Sequence, residues 1–97
     1  MDGKLCTLRE SESFEELAKQ IADIRHIDAA LNVLTNSIAR NPEAFPVVPG
    51  RDNIRMAKTD AYERDGANVP PLRVWFRRIS PDMVELLGIE PYERDTD

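Results

Sequence analysis

Pro70 to Ile79 reads PPLRVWFRRI, and its strict alternation makes it a β-strand. Leu72, Val74 and Phe76 point to one side of an extended chain, and Arg73, Trp75 and Arg77 to the other. A period of two held over six residues, built from β-branched and aromatic types, suits a strand and not a helix. One face is core-like; the other is cationic with an aromatic at its centre, and Arg78 adds a further cation beside it.

The flanking segments read as its neighbours in a sheet. Asn53 to Thr59, NIRMAKT, alternates Ile54 and Met56 against Arg55 and Ala57, which predicts a second strand with Met56 in the core. Asp60 to Asn68 is polar and contains the turn signal Asp65-Gly66, but it is longer than a tight hairpin needs. It reads as a functional excursion or a disordered tip. Downstream, Ser80-Pro81-Asp82 suits a type I turn leading into Met83 to Ile89, MVELLGI. This segment is apolar on both sides and therefore internal to a sheet. Within it, Gly88 marks a bulge or a close approach. Residues 91–97 read as a frayed acidic tail.

Towards the N-terminus, Lys4 to Arg9 reads as a first strand in which Cys6 is a small buried hydrophobe. Ser13-Phe14-Glu15-Glu16 fits a capping box. Phe14, Leu17, Ala18, Ile21 and Ile24 then form one apolar helical stripe, while Ile27, Ala30, Leu31, Leu34 and Ile38 form a second in shifted phase. The shift predicts two helices joined around Arg25 to Asp28, with Asp28 capping the second. Because no Gly or Pro marks the joint, one bent helix is the alternative. The second helix should stop at Asn41, ahead of Pro42, and FPVVPG (45–50) is a connector with a turn at Pro49-Gly50. The order is strand, helix, helix and three strands. It implies an α+β domain whose helical pair covers one face of a sheet and leaves the other open.

Ninety-seven residues suffice for one small core. No apolar run approaches the roughly 18 residues of a membrane span, and charges interrupt the first twenty residues where a signal peptide would be apolar; a cytoplasmic protein is expected. One Cys and one His cannot form an internal disulfide or, without carboxylates, a tetrahedral zinc site, so neither metal nor cofactor is expected. The net charge of −5 opposes nonspecific polyanion binding. Charge is nevertheless segregated: residues 1–50 carry 5 basic and 8 acidic groups, 51–78 carry 7 and 4, and 79–97 carry 1 and 6. A segment of +3 thus lies between segments of −3 and −5, which allows a local basic patch on an acidic protein.

The element order, with NPEAFPVVPG leading into an arginine-bearing strand, then LRVWF, a Pro-Asp turn and VELLGIEPY, resembles the RelE/ParE superfamily of bacterial toxins over about Lys4 to Tyr92. The resemblance implies a helical hairpin packed on a small, mainly antiparallel curved sheet whose concave face serves function. It also implies a partner antitoxin and one of two activities. These are metal-independent cleavage of messenger RNA on the ribosome, and inhibition of DNA gyrase without catalysis. Fold likeness does not choose between them. Carried onto this chain, the endoribonuclease pattern makes Lys58, Arg73, Arg77 and Tyr92 the catalytic candidates. Arg55, Arg73, Trp75, Arg77 and Arg78 become the candidates for target or RNA binding.

Transesterification by a ribose 2′-hydroxyl needs a proton acceptor, a proton donor and cations for the phosphate, and arginine supplies only the last. Two departures weigh against catalysis. Glu90 stands where endonuclease relatives often carry a basic residue, and the chain is acidic. The plainer reading makes the arginines a solvated face or cross-strand ion pairs, Trp75 a partner contact, Tyr92 a packing residue and His26 part of the helical joint. Three readings follow: a toxin-like inhibitor acting through the open face, a nontoxic protein-binding module, and a basic face masked by the acidic segment from Glu90 to Asp97.

Overall fold

The alternating stretch is a nine-residue strand whose Leu72, Val74 and Phe76 have no exposed surface. Around it, a computed structural model describes residues 5–51 and 53–92. In chain order the elements are β1 (Thr7–Glu10), α1 (Glu12–Gln20), α2 (Ile27–Arg40), a 3-10 turn (Pro42–Ala44), β2 (Ile54–Lys58), β3 (Tyr62–Arg64), β4 (Ala67–Val69), β5 (Leu72–Ser80) and β6 (Met83–Pro91). The main sheet has the order β1-β6-β5-β2, and β3 and β4 form a separate hairpin. β1 is parallel to β6, and the other pairings are antiparallel. The fold is α+β as expected, two helices with a small, mainly antiparallel sheet, and β6 is internal.

The core joins Phe14 of α1 and Ile27, Ala30, Leu34 and Ile38 of α2 to Ala57, Val74, Phe76, Val84, Leu86 and Ile89 of the sheet. The second apolar stripe is therefore the buried side of α2, and the shift of phase is a break between two helices. Across it, Ile21 N–H donates to Ala18 O, Ile24 N–H to Ile21 O and Ile27 N–H to Ile24 O. These i to i−3 turns end on His26 in the left-handed region (φ 66). The reversal is thus completed by a non-glycine residue at a cost of roughly 1–2 kcal/mol, so no glycine or proline signals it.

Several local expectations are corrected. The N-cap of α1 is Ser11, whose hydroxyl accepts from Phe14 N–H at 3.1 Å; Ser13 lies inside the helix. β6 fixes this choice, since Ser11 N–H donates to Leu86 O at 3.0 Å. His26, without a side-chain cap bond, occupies the N-cap of α2, and Asp28 sits in its first turn. In β2 the faces are the reverse of those assigned to Met56 and Ala57. Ala57 is the fully buried residue, opposite Val74, and Met56 stands opposite Trp75 on the other side. The long polar segment is not a disordered tip but an excursion folded as the β3–β4 hairpin, turning at Asp65 (φ 52) and Gly66 (φ 78) as expected. Its tip meets the helical joint, with His26 Nε2 3.4 Å from Asp65 Oδ2. Cys6 is half-buried against the core. The first strand begins at Thr7, after Leu5 and Cys6, and runs to Glu10; Lys4 and the tail beyond Tyr92 lie outside the described residues.

Candidate functional site

Opposite the core, the sheet presents three ranks of side chains, because directly paired residues share a face. Lys58, Arg73 and Glu90 make the first, Met56, Trp75 and Gly88 the second, and Ile54, Arg77 and Glu85 the third. Arg9 of β1 stands opposite Glu85 and extends the third rank.

Charge on this face is organised into cross-strand pairs. Arg73 donates through Nε to Glu90 Oε2 at 2.6 Å, with Nη2 at 2.5 Å from the same oxygen. Arg77 holds Glu85 Oε1 through Nε at 3.0 Å and Nη2 at 2.9 Å. The other oxygen of Glu85 lies 3.9 Å from Arg9 Nε. The Glu85 carboxylate is only 12% exposed while the Arg77 side chain is 53% exposed, so the acid is beneath and the cation faces outward. At the first rank the Arg73 guanidinium also lies against two rings, 5.5 Å from the centroid of Trp75 and 5.1 Å from that of Tyr92. Lys58 Nζ stands 5.8 Å from the Tyr92 ring, and the Tyr92 hydroxyl donates to Thr59 O at 3.1 Å.

The catalytic candidates therefore divide. Lys58, Arg73 and Tyr92 share one end of the face, whereas Arg77 is four residues along β5, roughly 13 Å away at strand rise. Tyr92 is committed to a backbone carbonyl and both arginines to carboxylates. Of the binding candidates, Trp75, Arg73 and Arg77 lie on the open face. Arg55 and Arg78 belong to the helix side: Arg55 stands opposite Phe76 and donates to Phe45 O at 2.6 Å, and Arg78 stands opposite Val84 and pairs with Glu43. Strand alternation puts Arg55 with Ala57, and the register shift between Arg78 and Ser80 marks where the end of β5 departs from regular pairing. Among the described residues, acid meets this face at Glu90, from within β6; the expected masking by the rest of the tail lies outside the described residues.

Between the charged ranks lies an apolar cleft of about 430 Å³. Its floor is Trp75, Gly88 and Ile54; Leu17 and Ser13 of α1 form one wall, Val48 and Arg51 the other, and Leu87 completes it. α1 reaches the cleft because β1 pairs only with Met83 to Leu86, and α1 packs beside the rest of β6. The opposite wall exists because the proline-punctuated connector doubles back along β2, where Val48 N–H donates to Ile54 O at 2.8 Å and Met56 N–H to Pro46 O at 3.1 Å.

Sequence reasoning missed Leu17, Val48, Arg51, Leu87 and Glu85 as members of this face. Only Glu85 carried a signal: a lone carboxylate inside an apolar strand needs a partner. Among the described residues there is no cluster of His, Cys, Asp or Glu able to hold a metal ion, and no helix is long and apolar enough to cross a membrane. Neither known protein-family models nor curated proteins yield a match to this chain.

Proposed function

We propose that this chain is a toxin-like growth inhibitor of a type II toxin–antitoxin module, acting by binding a protein target through the open sheet face. The observation that carries this reading is the pairing of both face arginines with β6 carboxylates around an apolar centre. A phosphate would have to displace a carboxylate from each guanidinium, whereas a protein surface can use the outward cations and the cleft together. The α+β order and the accessible sheet face opposite α2 support the toxin-like assignment, and gyrase inhibition fits it better than catalysis. An antitoxin would neutralise such a protein by covering the same face.

One observation favours the second reading, a metal-independent, ribosome-dependent endoribonuclease. Lys58, Arg73 and Tyr92 converge at one end of the face, offering cations and a hydroxyl within a small area. Tightly controlled expression in bacteria tests both. The native chain should arrest growth, with DNA synthesis falling before protein synthesis in pulse labelling. Arrest should be lost when Arg73 and Glu90, together with Arg77 and Glu85, are all changed to glutamine, so that no carboxylate is left alone. Protein synthesis falling first would favour the nuclease. Unchanged arrest by the quadruple variant at equal soluble level would refute action through this face.

A further inference from the structure

The cleft at the centre of the face specifies a particular kind of partner. Its apolar lining of Leu17, Val48, Ile54, Trp75 and Leu87 is half-buried over a buried glycine, with Ser13 and Arg51 exposed at the walls, and its volume falls in the range of small binding sites. Gly88 is not required by its backbone, since the positive-φ glycines are Gly50 and Gly66. What its small size does is leave the cleft open. A Cβ there would stand 3.4 Å from Trp75 Cε3 and 3.6 Å from Leu17 Cδ1, and any longer side chain would occupy the cleft. The bulge that places Gly88 opposite Trp75 leaves Leu87 unpaired, and Leu87 joins the lining.

Cations outnumber carboxylates around the cleft. Arg51 is exposed at the wall, Arg77 faces solvent above a nearly buried Glu85, and Arg73 lies on the opposite side of Trp75. Among the described residues, counting Lys58, Arg73, Arg77, Arg9 and Arg51 against Glu85 and Glu90 leaves three positive charges on these ranks and at Arg51, in a chain whose net charge is −5. We infer that the cleft binds a segment of a partner protein that presents a bulky apolar side chain flanked by acidic residues. The apolar group fills the space above Gly88 against Trp75, and the carboxylates meet Arg51 and Arg77. Repulsion from the rest of the acidic chain then directs such a segment to this face. The inference names the partner's chemistry for the proposed face and rests on that reading.

Trp75 is the chain's single tryptophan, so its emission reports occupancy directly. The probe is the acetylated, amidated peptide Glu-Glu-Leu-Phe-Glu-Glu, titrated into the intact chain. A saturable blue shift is expected. Binding should weaken at least about ten-fold, or 1.4 kcal/mol, when the flanks become lysine or when Leu-Phe becomes Ser-Ser. Gly88→Leu should abolish the shift and Gly88→Ala should retain it. Arg51→Glu, on an exposed turn, tests the rim without touching the core and should also weaken binding about ten-fold. No shift with the acidic peptide, equal binding of the lysine-flanked one, or indifference to Arg51→Glu would overturn the inference. Growth arrest is read separately: arrest without peptide binding removes the inference alone, and peptide binding without arrest removes the toxin reading alone.

Discussion

Arg77→Ala should destabilise this protein far more than a surface arginine ordinarily would. The Glu85 side chain is 12% exposed and receives a charge-assisted hydrogen bond from Arg77 Nε, with Arg77 Nη2 2.9 Å from the same oxygen, while its second contact, Arg9, is 3.9 Å away. Breaking a fully buried ion pair costs about 3–5 kcal/mol, and an exposed pair is worth about 0–1 kcal/mol. This pair has a buried acid and a half-exposed base, and hydrogen bonds to charged groups contribute about 1.5–3 kcal/mol. The expected loss is roughly 2 kcal/mol. For a domain of this size it lowers Tm by roughly 8–16 °C and appears in urea as a lower midpoint at unchanged slope. Most of the loss comes from leaving the carboxylate alone, so adding Glu85→Gln to Arg77→Ala should restore more than half of it. Arg73→Ala is the control. Glu90 is 42% exposed and can hydrate, so the expected loss is about 1 kcal/mol from the pair and the ring contacts, with no rescue by Glu90→Gln. A cost below about 0.5 kcal/mol for Arg77→Ala, or no rescue by Glu85→Gln, would refute the view that Arg77 holds Glu85 in place.

Two further substitutions test local structure. Ser11→Ala should cost about 1 kcal/mol in urea unfolding by removing the α1 cap, whereas Ser13→Ala should be nearly neutral; the reverse order would reinstate the capping box at Ser13. Gly66→Ala should cost about 1 kcal/mol through its positive φ, although nothing lies within 4 Å of the added Cβ. The loss should show as faster amide exchange in β3 and β4; unchanged exchange there would contradict the hairpin turn.

The parts of this architecture legible in the sequence are those set by local periodicity. β5 alternates because its two faces meet different surroundings, and the α2 stripe recurs every three or four residues because one side of that helix is covered. The faces of β2 were misread for a physical reason: Ala57 is buried where α2 packs close to the sheet, and Met56 is apolar without being in the core. Hydrophobicity alone ranks these two residues the wrong way round. The position of the α1 cap depended on a hydrogen bond from Ser11 to β6, more than seventy residues distant. The arginine face was visible, but its partners were not, since cross-strand pairs require a register that composition does not supply.

That register turns on one residue. If the pairing of Arg77 with Glu85 and Phe76 with Leu86 continued without interruption, Ile89 would stand opposite Arg73 on the open face. Glu90 would then point into the core. The shift between Trp75 and Phe76 passes over Leu87 and pairs Gly88 with Trp75, Ile89 with Val74 and Glu90 with Arg73. One inserted residue in β6 therefore keeps Ile89 buried and neutralises Arg73. It also sets a glycine beneath the tryptophan and adds a leucine to the cleft. β-Bulges commonly re-aim side chains in this way. Here the bulge joins two properties on which the proposed function depends: the Glu90 carboxylate that makes Arg73 a poor phosphate ligand, and the apolar space that a protein side chain can fill.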